Sequence, residues 1–343
     1  DLIHSKSYDL FIYADIGSPH APSIAERVGG ERKAIILDHH NPKRTSSDNV
    51  INLNPEFFNL SGERDASGAT VAYLLSKELI GLTDGKLASL AVIGSAEIPG
   101  AISGLNREAL EDAIRDNRAK VVRKGRSVDY LVNLEGSWTS YRTLSKELTV
   151  IGSVGFYRGG PLKALRALTE GGYASLRSEI KTLEELRRRK LKEVIRLLNK
   201  GGLKRFKHVQ WLHVGDLLRG LGSKTIGTIA SYISFRPSLI DPSKYLLASM
   251  DYEKTIPQLG SIKGDYSKFS ARAPTPLRDK IAEGRAPPIA SLLEEVAEQV
   301  GGFFDGHDYA ASGLIPKGLE EGFVRAADDA IAKELNRSWK RGA

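Results

Sequence analysis

Short apolar runs alternate with helical stripes along the first half of the chain. Residues 9–14 and 33–37 are compact apolar runs bounded by turn residues, the pattern of buried strands. Between them, residues 21–28 read as a short helix stopped by Gly29 and Gly30. Ala66-Ser67-Gly68 opens a second helix over residues 69–79, closed by Gly81, and residues 87–93 form an apolar run that fits either helix or strand. Strand–helix–strand alternation on this scale predicts a parallel α/β sheet. Chemistry in such sheets sits at the carboxyl ends of the strands. Here those ends are Asp15-Ile16-Gly17-Ser18 and Asp38-His39-His40.

Between residues 175 and 200 the texture changes. Ile180, Leu183, Leu186, Leu191, Val194, Ile195 and Leu198 trace one apolar stripe, and Arg187, Arg188, Arg189, Lys190, Lys192 and Arg196 occupy the other faces. The spacing predicts a long amphipathic connecting helix closed by Gly201-Gly202, its basic run a solvated face before it is a binding site. Beyond it, strands are predicted at 208–214, 244–250 and 268–272, and helices at 225–233, 289–300 and 319–335.

Composition narrows the function. A chain of 343 residues suggests about two domains. Cysteine is absent, which excludes disulfides, zinc-thiolate sites, iron–sulfur clusters and cysteine nucleophiles. Together with a single methionine, Met250, this fits a reducing and hot interior. No run of about 18 apolar residues is present, so no membrane helix is expected. The net charge of +8 favours a polyanionic partner.

The most specific pattern is the strand ending in Asp38-His39-His40-Asn41-Pro42. Imidazole and carboxylate together suit manganese, iron or zinc. Asp15 ends the preceding strand, and neighbouring parallel strands lie about 4.8 Å apart, so Asp15 and His39 would reach one ion between them. The bland alternative is a pair of histidines hydrogen-bonded to Asp38. Lys224 opens a helix whose amide groups would hold a phosphate, against an ordinary helix start. Gly152, Gly155, Gly159 and Gly160 lack the Gly-Lys-Ser/Thr that completes a phosphate loop and read as turn glycines. Lys204, Arg205, Lys207 and Trp211 mix basic and aromatic side chains as single-strand grooves do. Trp211 also lies in an apolar strand, where core packing is the default.

In order along the chain, Asp15-Ile16-Gly17-Ser18, Asp38-His39-His40, Asn54-Pro55 and Ser67-Gly68-Ala69 resemble the DHH phosphoesterase superfamily. Ser270-Ala271-Arg272 and the stretch 301–313, Gly-Gly-Phe-Phe-Asp-Gly-His-Asp-Tyr-Ala-Ala-Ser-Gly, resemble its DHH-associated domain, which ends in a glycine-rich loop. Within the superfamily the chain is most similar to the archaeal RecJ-like proteins, in the lineage of cell division control protein forty-five. The resemblance implies a DHH domain with a mostly parallel sheet over residues 1–165, a connecting helical region over 166–205 and a smaller α/β DHH-associated domain over 206–340. It also implies two-metal phosphodiester hydrolysis with manganese. Asp15 would bridge the metals and His39 would ligate one. His40 would face the scissile phosphate or support the site from behind the ligands, and Asp38 would orient the imidazoles. Arg272, Gly306 and His307 would contact nucleic acid.

The departures from that pattern redirect the functional expectation. The family's first motif, His-x-Asp-x-Asp-Gly, should precede Asp15, and residues 1–8 do not contain it. The fourth motif's aspartate is missing from Gly94-Ser95-Ala96-Glu97, where Glu97 is an imperfect substitute, and Phe303, Phe304 and Asp305 replace loop glycines. Either a segment before Asp1 carries the first motif, or the chain is a degenerate member. The two further losses favour degeneracy. The resemblance then implies a cytoplasmic, nucleoid-associated replication factor that binds the GINS complex, the MCM helicase and single-stranded DNA, with a vestigial manganese site at Asp15 and His39. The alternative is an active manganese-dependent single-strand exonuclease using Asp38 and His40. A phosphoesterase for cyclic dinucleotides or short oligonucleotides fits the positive charge less well.

Overall fold

The computed structural model describes residues 8–81, 83–125 and 127–342, and the chain divides after Leu148 into two compact units. Residues 1–7, ahead of Asp15 where the resemblance expects the first metal motif, lie outside the described residues.

The first unit opens with β1 (Leu10–Ala14), α1 (Ala21–Val28), β2 (Lys33–Leu37) and β3 (Val50–Leu53). The strands pair in parallel in the order β1-β2-β3, with Ile12 beside Ile35 and Ile35 beside Ile51. Helix α1 closes one face of the sheet, burying Ala21, Ile24 and Val28 against Ala34, Ile36 and Val50. Helix α2 (Gly68–Ile80) starts where the Ser67 hydroxyl accepts from the Thr70 amide and ends at Gly81 in the left-handed region, φ 68°. The ambiguous run is helix α3 (Gly85–Gly94), capped by Asp84. Its side chains are buried on most sides, so no amphipathic period marks it in the sequence.

Helix α4 (Gly104–Arg115) leads to an antiparallel meander that sequence patterning did not predict: β4 (Ala119–Lys124), β5 (Ser127–Leu134) and β6 (Ser137–Ser140). The β5–β6 turn is Glu135-Gly136, both at positive φ (53° and 83°), the backbone that a two-residue hairpin demands. That dipeptide between apolar-polar alternations was the available signal. Helix α5 (Tyr141–Ser153) carries the chain into the second unit.

There, α6 (Gly160–Thr169) precedes the amphipathic helix α7 (Arg177–Leu197), which buries Ile180, Leu183 and Val194 as its stripe predicts. A six-stranded sheet follows, built from β7 (Leu203–Arg205), β8 (Val209–His213), β9 (Tyr245–Asp251), β12 (Tyr266–Arg272), β13 (Phe303–His307) and β14 (Ala310–Pro316). Helix α8 (Lys224–Ser234) joins β8 to β9, the small hairpin β10 (Thr255–Ile256) and β11 (Gly260–Ser261) precedes β12, and α9 (Thr275–Ala282) and α10 (Ile289–Gln299) follow it. The sheet order is β13-β14-β12-β9-β8-β7, and β8–β9 is its parallel pair.

One face packs on α10 and the final helix α11 (Glu320–Gly342) through Trp211, Phe269, Phe304, Phe323, Leu293 and Ile331. Trp211 is thus a core residue, its indole donating to Ser249 Oγ at 2.8 Å. Asp328 of α11 accepts the backbone amides of His208 (2.6 Å) and Val209 (2.9 Å), fixing the β7–β8 turn.

The expected glycine-rich loop over 301–313 is instead the β13–β14 hairpin. Its glycines serve close strand approach. A Cβ on Gly306 (φ 145°) would sit 2.3 Å from the Ala310 carbonyl oxygen, and one on Gly313 would sit 2.1 Å from that of Phe303.

Candidate functional site

The parallel strands of the first unit deliver Asp15, Asp38, His39 and His40 to one sheet end. Asp15 follows β1 with φ 62°, unusual for a side chain bearing a Cβ, and its amide donates to the Leu37 carbonyl at 2.8 Å. Strained backbone of this kind persists where surrounding structure fixes it, often at functional positions.

Asp38 is fully buried and spends both oxygens inside the protein. Oδ2 accepts the Ser18 amide at 2.8 Å, while Oδ1 accepts the His39 amide at 2.8 Å and His40 Nδ1 at 2.6 Å. Burial alone would raise its pKa. The His40 hydrogen bond and charge, with the two amides, outweigh burial and hold the carboxyl down at about 2. Asp38 is therefore an organiser of the loop and of the His40 ring.

A depressed carboxyl stabilises the fold fully above its unfolded pKa and loses that contribution as pH falls through the folded value. Asp38→Asn is thus expected to remove roughly 2 kcal/mol of acid-sensitive stability between about pH 4 and 2. Urea unfolding across that window measures it, and an unchanged acid limb would contradict an ionised Asp38.

His39 is nearly buried, and its Nδ1 lies 2.7 Å from the Gly62 carbonyl. A carbonyl accepts only, so Nδ1 carries the proton and Nε2 faces the acids. Asp15 Oδ1 stands 3.4 Å from Nε2 and Glu97 Oε1 3.8 Å from it. Burial lowers the affinity of this ring for a proton, but the Asp15 contact, the Gly62 carbonyl and the Glu97 charge prevail and raise its pKa to about 9.

Asp15 Oδ1 is itself buried without a hydrogen bond. A carboxylate oxygen held only by this long contact to a fixed imidazole, with a second acid beside it, fits a divalent cation. Ligand atoms of Asp15, His39 and Glu97 lie within 4.8 Å of one another, and so do those of Asp15, Asp38 and His40. With both Asp38 oxygens engaged in hydrogen bonds, the donors that fit among the described residues of the first unit are Asp15, His39, Glu97 and His40. Among the described residues of the first unit, both groups share Asp15.

Local packing explains Glu97, which sequence reading treated only as a substitute. The turn Ser95–Glu97 follows α3 directly. Gly94 lets α3 approach α2, since a Cβ there would lie 2.4 Å from that of Ala69. Gly68 does the same for Asp15: its Cβ would meet Oδ1 at 2.1 Å.

The other sequence candidates lie in the second unit. Arg272, at the end of β12, is spent on internal acceptors: Ser231 Oγ (2.9 Å), Ser270 Oγ (2.8 Å), and the carbonyls of Ala271 (2.8 Å) and Gly227 (3.2 Å). Burial, helped by Arg278, lowers its pKa to about 10. His307 shares its sheet face through the register Arg272–Ala310–His307. Gly306, one residue earlier in β13, belongs to the opposite face. Lys224 is exposed in the first turn of α8. Sequence reading passed over Lys268, on the same face of β12, whose pKa burial lowers to about 8, with Asp305 opposing that shift and Arg272 adding to it.

No family model matches the sequence. An uncharacterized protein of Methanocaldococcus jannaschii is 25% identical over 369 aligned positions, which cover 96% of this chain and 82% of that protein. RecJ from Thermus thermophilus, solved with Mn2+, superposes with a TM-score of 0.61 at 19% identity over 96% of this chain and 46% of its own. CDC45 from Entamoeba histolytica superposes with a TM-score of 0.52 at 10% identity over 94% and 84%. The chain thus spans less than half of that RecJ. The fold is that of the RecJ-like DHH proteins, shared with CDC45.

Proposed function

We propose that the protein is a RecJ-like DHH replication factor that holds single-stranded DNA without cutting it. The observation that carries this reading is the altered fourth motif: Glu97, 3.8 Å from the His39 imidazole, stands where the resemblance expects an aspartate. The likeness of fold to CDC45 supports a place in replication, and the net charge of +8 supports a polyanionic partner.

In this reading residues 1–165 act as the DHH domain, 166–205 as the connection and 206–340 as the DHH-associated domain that contacts DNA. GINS and the MCM helicase are the proposed protein partners, met in the cytoplasm at the nucleoid. Among the described residues no helix is long and apolar enough to cross a membrane.

A manganese ion held by Asp15, His39 and Glu97 would add a fixed positive charge and Lewis acidity at this sheet end. The chain's own groups set the rest. Gly62 fixes the His39 tautomer, Asp38 aligns His40, and Gly68 clears space for the Asp15 carboxylate. A second reading, a manganese-dependent single-strand exonuclease, draws on Asp15 Oδ1: held only by its long contact to the His39 imidazole, it keeps the first unit fit for metal.

One assay separates the two. With manganese, an end-labelled single-stranded oligonucleotide is expected to remain full length while its binding weakens steeply with salt. Steady shortening that disappears in His39→Ala would overturn the replication-scaffold reading in favour of the nuclease. A salt-insensitive affinity would count against both.

A further inference from the structure

The half-open face of the second unit's sheet carries a cation that the DHH resemblance does not assign. Lys268, Ser270 and Arg272 alternate along β12 and so point to one side, opposite Phe269 and Ala271 in the core. The register sets Ser270 beside Ser312 and Asp305, and Arg272 beside Ala310 and His307. Lys268 lies between Leu314 and Met250.

The two cations on this face are held differently. The Arg272 fork already donates to Ser231, Ser270, Ala271 and Gly227, which ties α8 to the sheet. A Cβ on Gly227 would lie 3.3 Å from Arg272 Nη2, so the helix sits close against the guanidinium. The Lys268 ammonium, by contrast, has no hydrogen bond or ion pair among the described residues, and Asp305 acts on it only at a distance. A partly desolvated point charge without a partner is costly unless an anion meets it. Low local dielectric then strengthens that contact.

We infer that Lys268 is the residue of this face that binds a phosphate of single-stranded DNA, and that Arg272 is a positioning residue bracing α8. The inference rests on the DNA-holding reading above. Ser312 and His307 share the face and flank the strand's path.

The test uses the full chain and a fluorescein-labelled oligothymidylate titrated at several salt concentrations. Lys268→Gln is expected to weaken binding about fivefold or more and to lower the salt slope by about one, while Lys268→Arg keeps both near wild type. Lys280→Gln, in α9, should leave them unchanged. Reductive methylation of wild type covers the case in which the glutamine variant misfolds. Oligothymidylate should protect Lys268 from modification and leave Lys280 reactive. Wild-type binding with an unaltered Lys268→Gln slope, or with no protection of Lys268, overturns the inference and leaves the DNA-holding reading intact. Failure of wild type to bind at low salt overturns that reading and the inference with it.

Discussion

Alanine at Gly62 is expected to destabilise the first unit by about 3 kcal/mol, the high end of what overpacking costs. The added Cβ would lie 1.8 Å from the His39 carbonyl oxygen and 2.9 Å from its carbonyl carbon. Both are backbone atoms of the segment that carries the two histidines, so neither yields by a rotamer change. Relief requires the Gly62 loop to withdraw, and its carbonyl is the partner of His39 Nδ1 at 2.7 Å. The substitution therefore strikes stability and imidazole orientation together. Urea unfolding followed by far-ultraviolet circular dichroism reads the first effect. Gly152→Ala is the matched control: it lies in α5, with nothing within 4 Å of the new Cβ. That change is expected to stabilise by about 0.5–1 kcal/mol through helix propensity. Equal stability of Gly62→Ala and wild type would mean that the His39 loop is far softer than its contacts indicate.

Manganese affinity is the second large effect. Titration calorimetry of wild type should report one ion, and His39→Ala should reduce its affinity by about 100-fold or more, beyond the loss typical of outer-sphere substitutions. Glu97→Gln, which keeps shape and removes charge, should cost about tenfold. Binding must displace the proton that Asp15 and Glu97 help hold on His39 up to about pH 9, so affinity should rise with pH across the neutral range. Two equivalent ions in wild type, or an isotherm indifferent to His39→Ala, would sink the one-cation site.

Much of this architecture was legible because simple periodicities survive in it. The alternation of strand and helix placed Asp15 and the histidines at one sheet end, and the α7 stripe marked its buried side. Legibility failed where tertiary contact overrides local pattern. Helix α3 is buried on most sides and so shows no stripe. The meander over β4–β6 announces itself only through Glu135-Gly136, and the 301–313 stretch looks like a loop because its glycines permit strand crossings that no local rule encodes. At the site, the strand pattern brought Asp15 and His39 within reach of one another, as they are at 3.4 Å. The residue types also allowed for a histidine hydrogen-bonded to Asp38, as His40 is, but not for the turn after α3 that brings Glu97 to 3.8 Å from the His39 imidazole. Arg272 was found by resemblance, yet only its hydrogen bonds show it bound to its own scaffold, with Lys268 left over on the same face.

The Asp328 clamp on the β7–β8 turn carries a consequence for the order of assembly. Its carboxylate joins the backbone amides of His208 and Val209, 120 and 119 residues earlier in the chain. Val209 and Ile331 share the same core. Such long loops must close before their contacts repay the entropy, which slows folding and exposes apolar strands meanwhile. During synthesis, β7 and β8 leave the ribosome long before α11 exists to anchor them. The sheet contacts of the first unit span shorter stretches, so it is expected to order before the second, which needs its last helix.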